Sequence, residues 1–369
     1  MGKKKVLFLL EAFDKGGIEK VTLDIVNNLN PTEYDITIQT FWYGGHCQSL
    51  VNPNVKVIPF FFKRYVRGII RLIEWLSPRM LCKLFVRGNY DIEIAASDGG
   101  AAKVIAGSNN KKSKKVCWVH MDVVEQGSRL KEFSKKSTAT KIYSKFDKIV
   151  CVSKKTEEQF NRKFGFENNT TTVHNPLPKQ SIIDKSNEEI GVPLDDKTFN
   201  IVAVGRLSKE KGFERLIRVC ERLRKETQIP VVLYIVGDGP MRTELEQMLQ
   251  LREIDNVKLL GFQANPYPYI KRADLLVCAS HNEAYPTVIG ESFVLETPVL
   301  GTKCSGVCEW LEVDSSGYIV ENNEEALYEG LKAVIQNEQI FEELKMKACV
   351  KAKSLEFEQA LKLWEQEIL

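Results

Sequence analysis

At 369 residues the chain exceeds the usual size of a single hydrophobic core, and its 43% hydrophobic content is that of a globular protein, not a disordered one. A formal net charge of +3 conceals an asymmetry, because residues 1–180 hold 30 Lys and Arg against 17 Asp and Glu while the remainder holds 22 against 32. No apolar run approaches the roughly 20 residues of a membrane-spanning helix, no nucleic-acid motif accompanies the basic half, and nine irregularly spaced cysteines without a C-x-x-C pair argue against a disulfide framework.

The run Val6-Leu7-Phe8-Leu9-Leu10 suits a buried first strand, and Gly16-Gly17 follows just before a helical pattern at Ile18, Val21, Ile25 and Leu29. No Ser, Thr, Asp or Asn caps that helix, so its first amides are expected to be open to a phosphate. The loop is not the G-x-G-x-x-G dinucleotide fingerprint. The lysines at the start of the chain lead into only five apolar residues before Glu11, so no secretory signal is expected and a reducing cytoplasm is the expected compartment.

Between Phe60 and Arg87 the residues Lys63, Arg64, Arg67, Arg71, Arg79, Lys83 and Arg87 interleave with aliphatic and aromatic side chains, opposed only by Glu74. Such a segment suits an anionic membrane surface; it equally suits a helical pair packing an apolar stripe on a sheet with its cations solvated. Further along, Val116-Cys117-Trp118-Val119-His120 reads as a strand ending in histidine. Lys148 to Ser153 and Thr172 to Leu177 follow, the latter containing the turn dipeptide Asn175-Pro176, which suits an exit into a linker.

Residues 178–198 are expected to be a linker, since Pro178, Asp184, Asn187, Pro193, Asp195 and Asp196 interrupt the apolar periodicity. The second half opens with a strand, Phe199 to Val204. It enters the loop Gly205-Arg206-Leu207-Ser208-Lys209-Glu210-Lys211-Gly212, which carries cations five residues apart and faces the crevice where open α/β sheets bind ligands. Arg206 can fork onto phosphate oxygens and Lys211 offers a point charge. A second strand, Val231 to Val236, ends in Gly237-Asp238-Gly239-Pro240. Then Glu283 and Glu291, eight positions apart, bracket Pro286, which suits the first position of a helix with Tyr285 at its cap. That leaves the amides of Thr287, Val288 and Ile289 open to an anion beside two carboxylates able to grip hydroxyl groups. Cys304, Cys308 and nearby His281 lack a fourth metal ligand, and no metal is expected. The pattern Phe357, Leu361, Trp364, Ile368 closes the chain as an amphipathic helix.

The Val204-Gly205-Arg206-Leu207 and Lys211-Gly212 segments, the Val236 to Pro240 turn, Gly261-Phe262 and the Glu283 to Glu291 motif together resemble, in order and spacing over residues 199–312, the C-terminal half of retaining GT-B glycosyltransferases of glycosyltransferase family 4. The resemblance implies an α/β GT-B fold of two Rossmann-like doubly wound domains facing across a cleft. Residues 1–177 would be the acceptor-binding domain, 199–350 the nucleotide-sugar donor domain, and 351–369 a helix crossing back to the first. It implies that Arg206 and Lys211 bind the donor diphosphate, with Gly205 and Gly237 in the adjoining turns. Glu291 would hold the ribose, Phe262 would lie near the base, and Glu283 and His120 would face the donor sugar, with the Gly16-Gly17 loop near the donor phosphates.

The activity so implied is metal-independent, retaining transfer of a hexose from a nucleoside diphosphate sugar, UDP-linked by preference, to a polyprenyl-diphosphate-linked or other glycan acceptor in surface polysaccharide biosynthesis. The enzyme would be cytoplasmic and peripheral on the inner face of the membrane, with no nucleic-acid partner and no cofactor. Two alternatives stand beside it: a nucleotide-sugar epimerase or glycogen-type phosphorylase on the same fold, and a non-catalytic subunit that binds nucleotide sugar or membrane.

Overall fold

The structure, a computed structural model, describes residues 2–13, 16–42, 45–62, 73–120, 135–189, 191–227 and 229–369. Its contacts divide into two units, residues 1–176 with 358–369, and residues 177–357.

In the first unit β1 (Lys4–Leu10), β2 (Tyr34–Trp42), β3 (Lys56–Phe62), β4 (Ile92–Ala95), β5 (Lys114–Val119), β6 (Lys148–Cys151) and β7 (Thr170–Thr172) form a parallel sheet in the order β3-β2-β1-β4-β5-β6-β7. Parallel sheets are covered on both faces, and Val6 through Leu10 are accordingly buried without alternation. The order reverses between β1 and β4, which leaves a crevice outside the carboxyl ends of the strands.

The helix Phe357–Ile368 packs into this unit although it lies at the far end of the sequence. Its buried residues Leu361, Trp364 and Ile368 recur at spacings of three and four, the helical period. Trp364 stacks on Phe8 with ring centroids 5.9 Å apart and lies 5.4 Å from Trp118. Both indoles are fully buried, and neither indole N–H has a partner among the described residues. Area and volume therefore hold them, not hydrogen bonds. An ion pair between Lys148 and Glu367 flanks the contact.

In the second unit β8 (Phe199–Val204), β9 (Val231–Val236), β10 (Val257–Gly261), β11 (Leu275–Cys278), β12 (Val299–Thr302) and β13 (Tyr318–Val320) form another parallel sheet, ordered β10-β9-β8-β11-β12-β13. Here the order reverses between β8 and β11, the two strands whose exits carry Arg206 with Lys211 and Glu283.

Two boundaries differ from expectation. Residues 178–198 contain the helix Lys179–Lys185, whose Ile182 lies in the core beside Tyr269, Ile289 and Trp310, so the segment is part of the second unit instead of a free linker. Its Lys179 ammonium also donates to the Ala352 carbonyl at 2.5 Å. That second contact belongs to the helix Glu338–Ser354, which continues past residue 350 and keeps the chain in the second unit to residue 357.

Of the basic stretch, Lys63, Arg64, Arg67 and Arg71 lie outside the described residues. The helix Pro78–Phe85 buries Leu81, Cys82 and Phe85 in the first unit's core.

Because Trp364 fills volume without a hydrogen bond, Trp364→Ala should destabilise the first unit by about 3–5 kcal/mol, whereas Trp364→Phe should cost much less. Urea titration of both variants checks this, and equal losses would show that the indole N–H matters after all.

Candidate active site

The strand exits of the second unit come together through glycines. The Gly205 amide donates to the Val236 carbonyl at 3.0 Å, and the Gly237 amide donates to the Gly261 carbonyl at 2.8 Å, which links the ends of β8, β9 and β10. Gly237 has φ +149°, and a Cβ there would lie 1.8 Å from the Gly205 carbonyl oxygen, so only glycine fits. A Cβ at Gly205, by contrast, would meet the Lys211 side chain at 3.6 Å, an ordinary contact.

The turn after β8 forms a short 3-10 segment, Lys209–Lys211, ending at Gly212 with φ +65°. A Cβ on Gly212 would come within 2.0 Å of the Ala279 carbonyl, so this glycine lets the β8 turn close directly on the β11 exit. That closure brings the Lys211 ammonium onto the Glu283 carboxylate, an ion pair spanning 72 residues of sequence. The Ser280 hydroxyl donates to the same carboxylate at 2.8 Å. Burial alone would lower the Lys211 pKa, but the adjacent Glu283 outweighs it and the net shift is upward. Burial, and then the same carboxylate, push the Cys278 thiol up to about 11, which leaves it protonated.

The residue that fixes this corner carries no motif in the sequence. Arg215, on the helix Phe213–Glu226, is buried, and its guanidinium donates to the Ala279 carbonyl at 3.0 and 2.6 Å, to Thr302 Oγ1 at 3.2 Å and to Asn322 Oδ1 at 2.8 Å. The loop is held from the other side as well. Thr302 Oγ1 donates to the Ser280 carbonyl at 2.6 Å, Asn322 donates to the His281 carbonyl at 2.9 Å, and the Gly306 amide donates to the Glu283 carbonyl at 2.8 Å.

The helix after Glu283 runs from Thr287 to Val294, one residue later than expected. Pro286 is its cap, with φ −70° and ψ 106°, an extended conformation outside the helix, and no side chain caps the start. Stacking of Tyr285 on Trp310, at 4.8 Å between centroids, holds the preceding residue in the loop. Of the three amides expected to be open, that of Ile289 donates to the Pro286 carbonyl at 3.2 Å, while Thr287 and Val288 remain at the helix start. Glu291 is buried on this helix and Phe262 half-buried at the β10 exit; Arg206 is exposed on the β8 turn.

In the first unit, Gly16 caps the helix Gly17–Val26 without a side-chain bond. Its surroundings differ from the expected open start. A Cβ on Gly16 would lie 2.2 Å from Glu19 Oε2, so the carboxylate three positions on folds back against the cap, as acids at that position commonly do. An anion approaching Gly16 and Gly17 therefore meets a carboxylate. The spacing of Glu19 from Gly16 carried that information. His120, at the end of β5, packs on Trp118 at 4.3 Å, and its Nε2 is buried with no partner among the described residues. Burial depresses its pKa to about 3, so the imidazole is neutral at physiological pH. Among the described residues no three His, Cys, Asp or Glu gather as metal ligands, Cys304, Cys308 and His281 included.

Two family descriptions match the chain, Glycosyltransferase Family 4 over residues 15–180 and Glycosyl transferases group 1 over residues 184–353. The chain is a GT-B glycosyltransferase of the family 4 kind. Among its relatives, the N-acetylgalactosamine-N,N'-diacetylbacillosaminyl-diphospho-undecaprenol 4-alpha-N-acetylgalactosaminyltransferase of Campylobacter jejuni is 32% identical over 219 residues, 58% of this chain and 58% of that enzyme's length. A Haemophilus influenzae glycosyltransferase is 25% identical over 98% of this chain and 99% of its own. The fold of Anabaena HepE, solved with UDP and glucose, superposes with a TM-score of 0.78 at 20% identity over 98% of both chains. Among the described residues of this glycosyltransferase, no helix is long and apolar enough to cross a membrane.

Since Lys211 and Glu283 are 25% and 13% exposed, each shields the other's charge, and losing one leaves the second half-buried and unpaired. Lys211→Met and Glu283→Gln should each destabilise the fold, and the double variant by less than their sum, with a coupling of about 1–3 kcal/mol in urea titrations. Additive losses would mean that the pair contributes nothing.

His120 supplies a pH dependence whose sign follows from its depressed pKa. Below about 6.5 the unfolded chain protonates this histidine while the folded chain keeps it neutral to about 3, so stability falls as pH drops through that window, at up to about 1.4 kcal/mol per pH unit. Thermal denaturation between those limits should show a flatter acid slope for His120→Asn than for the parent chain.

Proposed function

We propose that this glycosyltransferase moves a hexose from a UDP-sugar to a lipid-linked or other glycan acceptor, with retention of anomeric configuration and without a metal ion. The observation that carries the reading is the Lys211–Glu283 pair at the reversal point of the second sheet, beside the Gly205 and Gly237 turns. In this proposal the pair supplies the ammonium for the diphosphate and the carboxylate for the sugar. On this reading the diphosphate draws Lys211 away from Glu283, Arg206 forks onto the remaining phosphate oxygens, and the freed carboxylate accepts from a hydroxyl of the sugar.

Glu291 is assigned to the ribose and Phe262 to the neighbourhood of the base. His120 and the Gly16-Gly17 turn enter through the family resemblance alone. In the transfer step the bond from the sugar C1 to the leaving phosphate breaks, a bond from C1 to the acceptor oxygen forms on the same face, and the acceptor's proton passes to the departing diphosphate. The residues that bind phosphate then stabilise its growing charge. Support for the donor class comes from HepE, whose structures hold UDP and glucose, and for the acceptor class from the Campylobacter enzyme named for a diphospho-undecaprenol substrate. Relatives named for lipopolysaccharide core, teichuronic acid and colanic acid biosynthesis support a role in surface polysaccharides.

A thermal-shift panel of UDP-, GDP- and ADP-sugars tests the donor, since a ligand at a hundred times its dissociation constant adds about 2.7 kcal/mol of stability. UDP-sugars alone should shift the transition. Arg206→Ala and Lys211→Ala should each lower turnover by about two orders of magnitude, the effect of removing one preorganised donor. Glu291→Gln should weaken UDP in calorimetry, and Glu283→Gln should spare UDP binding but depress transfer. Equal loss of UDP affinity in the two glutamate variants would overturn the division of roles.

The same reading predicts that excess EDTA leaves the rate within about twofold, because Arg206 and Lys211 are the groups assigned to balance the diphosphate. Loss of activity that Mg²⁺ or Mn²⁺ restores would show that a metal shares that charge.

A further inference from the structure

Among the described residues, large apolar side chains left in water gather in two places, on the helix Pro78–Phe85 with the preceding Trp75 and on the helix Glu338–Ser354. Trp75, Met80 and Leu84 lie within ten positions, and Trp75 is 88% exposed. The helix Pro78–Phe85, capped by the Ser77 side chain, turns Leu81, Cys82 and Phe85 into the core, which leaves Met80 and Leu84 outward together with Arg79 and Lys83. Neither of these cations has an ion-pair partner among the described residues. Arg87, also exposed, follows directly, and Glu74 is the one acid between Phe60 and Arg87 in the sequence.

The face is held firmly. Lys103, itself buried, donates its ammonium to the carbonyls of Ile73 at 2.7 Å and Glu74 at 3.0 Å, which fixes the helical residues 73–75 that end at Trp75. A Cβ on Gly107 would lie 1.8 Å from the Pro78 carbonyl, so the helix start is seated directly on backbone. Elsewhere Met346 and Val350 are also exposed, but on a helix where Glu342, Glu343, Lys345, Lys347 and Lys351 mix both signs.

We propose that the outward face of Pro78–Phe85, with Trp75 at its edge, docks this enzyme on an anionic lipid surface. Charge complementarity selects the partner: Arg79 and Lys83, which have no ion-pair partner among the described residues, suit phosphate headgroups, while an indole and two aliphatic side chains suit the interface just beneath them. The proposal extends the reading of a lipid-linked acceptor given above, and it is tested apart from that reading because lipid binding is measured without any sugar.

The full chain should co-sediment with phosphatidylcholine vesicles that contain phosphatidylglycerol, and not with pure phosphatidylcholine. High salt should weaken the binding. Arg79→Gln with Lys83→Gln should reduce partition by about tenfold or more, at a few-fold per cation. Trp75→Phe should remove most of a blue shift of tryptophan emission on vesicle addition, because Trp118, Trp310 and Trp364 are already buried and Trp42 is half-buried against the core. Leu84→Ser should weaken partition while thermal stability and UDP affinity stay at parental values.

Absence of binding to anionic vesicles at low salt overturns the proposal, as does binding that all of these variants leave intact. If the parent chain sediments as a dimer and Leu84→Ser as a monomer, the face is an interface between copies and the lipid assignment fails. Loss of UDP binding by the parent chain would instead overturn the functional reading and leave this one standing.

Discussion

A buried guanidinium whose hydrogen bonds among the described residues all go to neutral oxygens is the constraint on which the second unit's site depends. Arg215 gives its hydrogen bonds to a backbone carbonyl, a hydroxyl and an amide oxygen at the exits of β11, β12 and β13, with no carboxylate among them. Such a charge is tolerated inside a protein only when its donors are well placed. The geometry is therefore strict: moving Ala279 would remove the two bonds from Nε and Nη2 to its carbonyl and leave the guanidinium only Thr302 and Asn322 among the partners named. Through Ala279 the strictness passes to Gly212 on one side and to Ser280 and Glu283 on the other. The Lys211–Glu283 pair thus rests on a corner that cannot relax cheaply, which is what preorganised binding of a charged group demands.

Much of the fold was legible from the sequence because parallel strands covered on both faces read as unbroken apolar runs. Val6 to Leu10, Phe199 to Val204 and Val231 to Val236 announced themselves in that way, and glycines at their exits marked the turns. The pairing of Lys211 with Glu283 was not legible, since the residues stand 72 positions apart and each could have been solvated on its own. Arg215 was hidden more thoroughly. On its helix it reads as one more cation in an amphipathic pattern, and its burial is decided by oxygens at residues 279, 302 and 322.

The other departures have local causes. The helix Lys179–Lys185 was masked by prolines and acids around a short stretch with two apolar residues, and Ile182 reveals its purpose only once strands and helices from later in the chain surround it. Glu19 could have been found: an acid three positions after a glycine cap is a recognised signal, and it changes an open helix start into a guarded one. The one-residue shift at Pro286 reflects the fact that proline fixes φ but leaves ψ to its neighbours, here to a tyrosine stacked on Trp310.

The C-terminal helix has a consequence for synthesis on the ribosome. The first unit is assembled from residues 1–176 and 358–369, whereas the second is continuous from 177 to 357. The second unit can therefore condense while the first still lacks its last piece, with Phe8 and Trp118 uncovered until Trp364 emerges. Translation thus leaves a nascent chain with an open aromatic socket for the time needed to make some 190 residues, a window for chaperone capture or misassembly that a contiguous domain would close sooner.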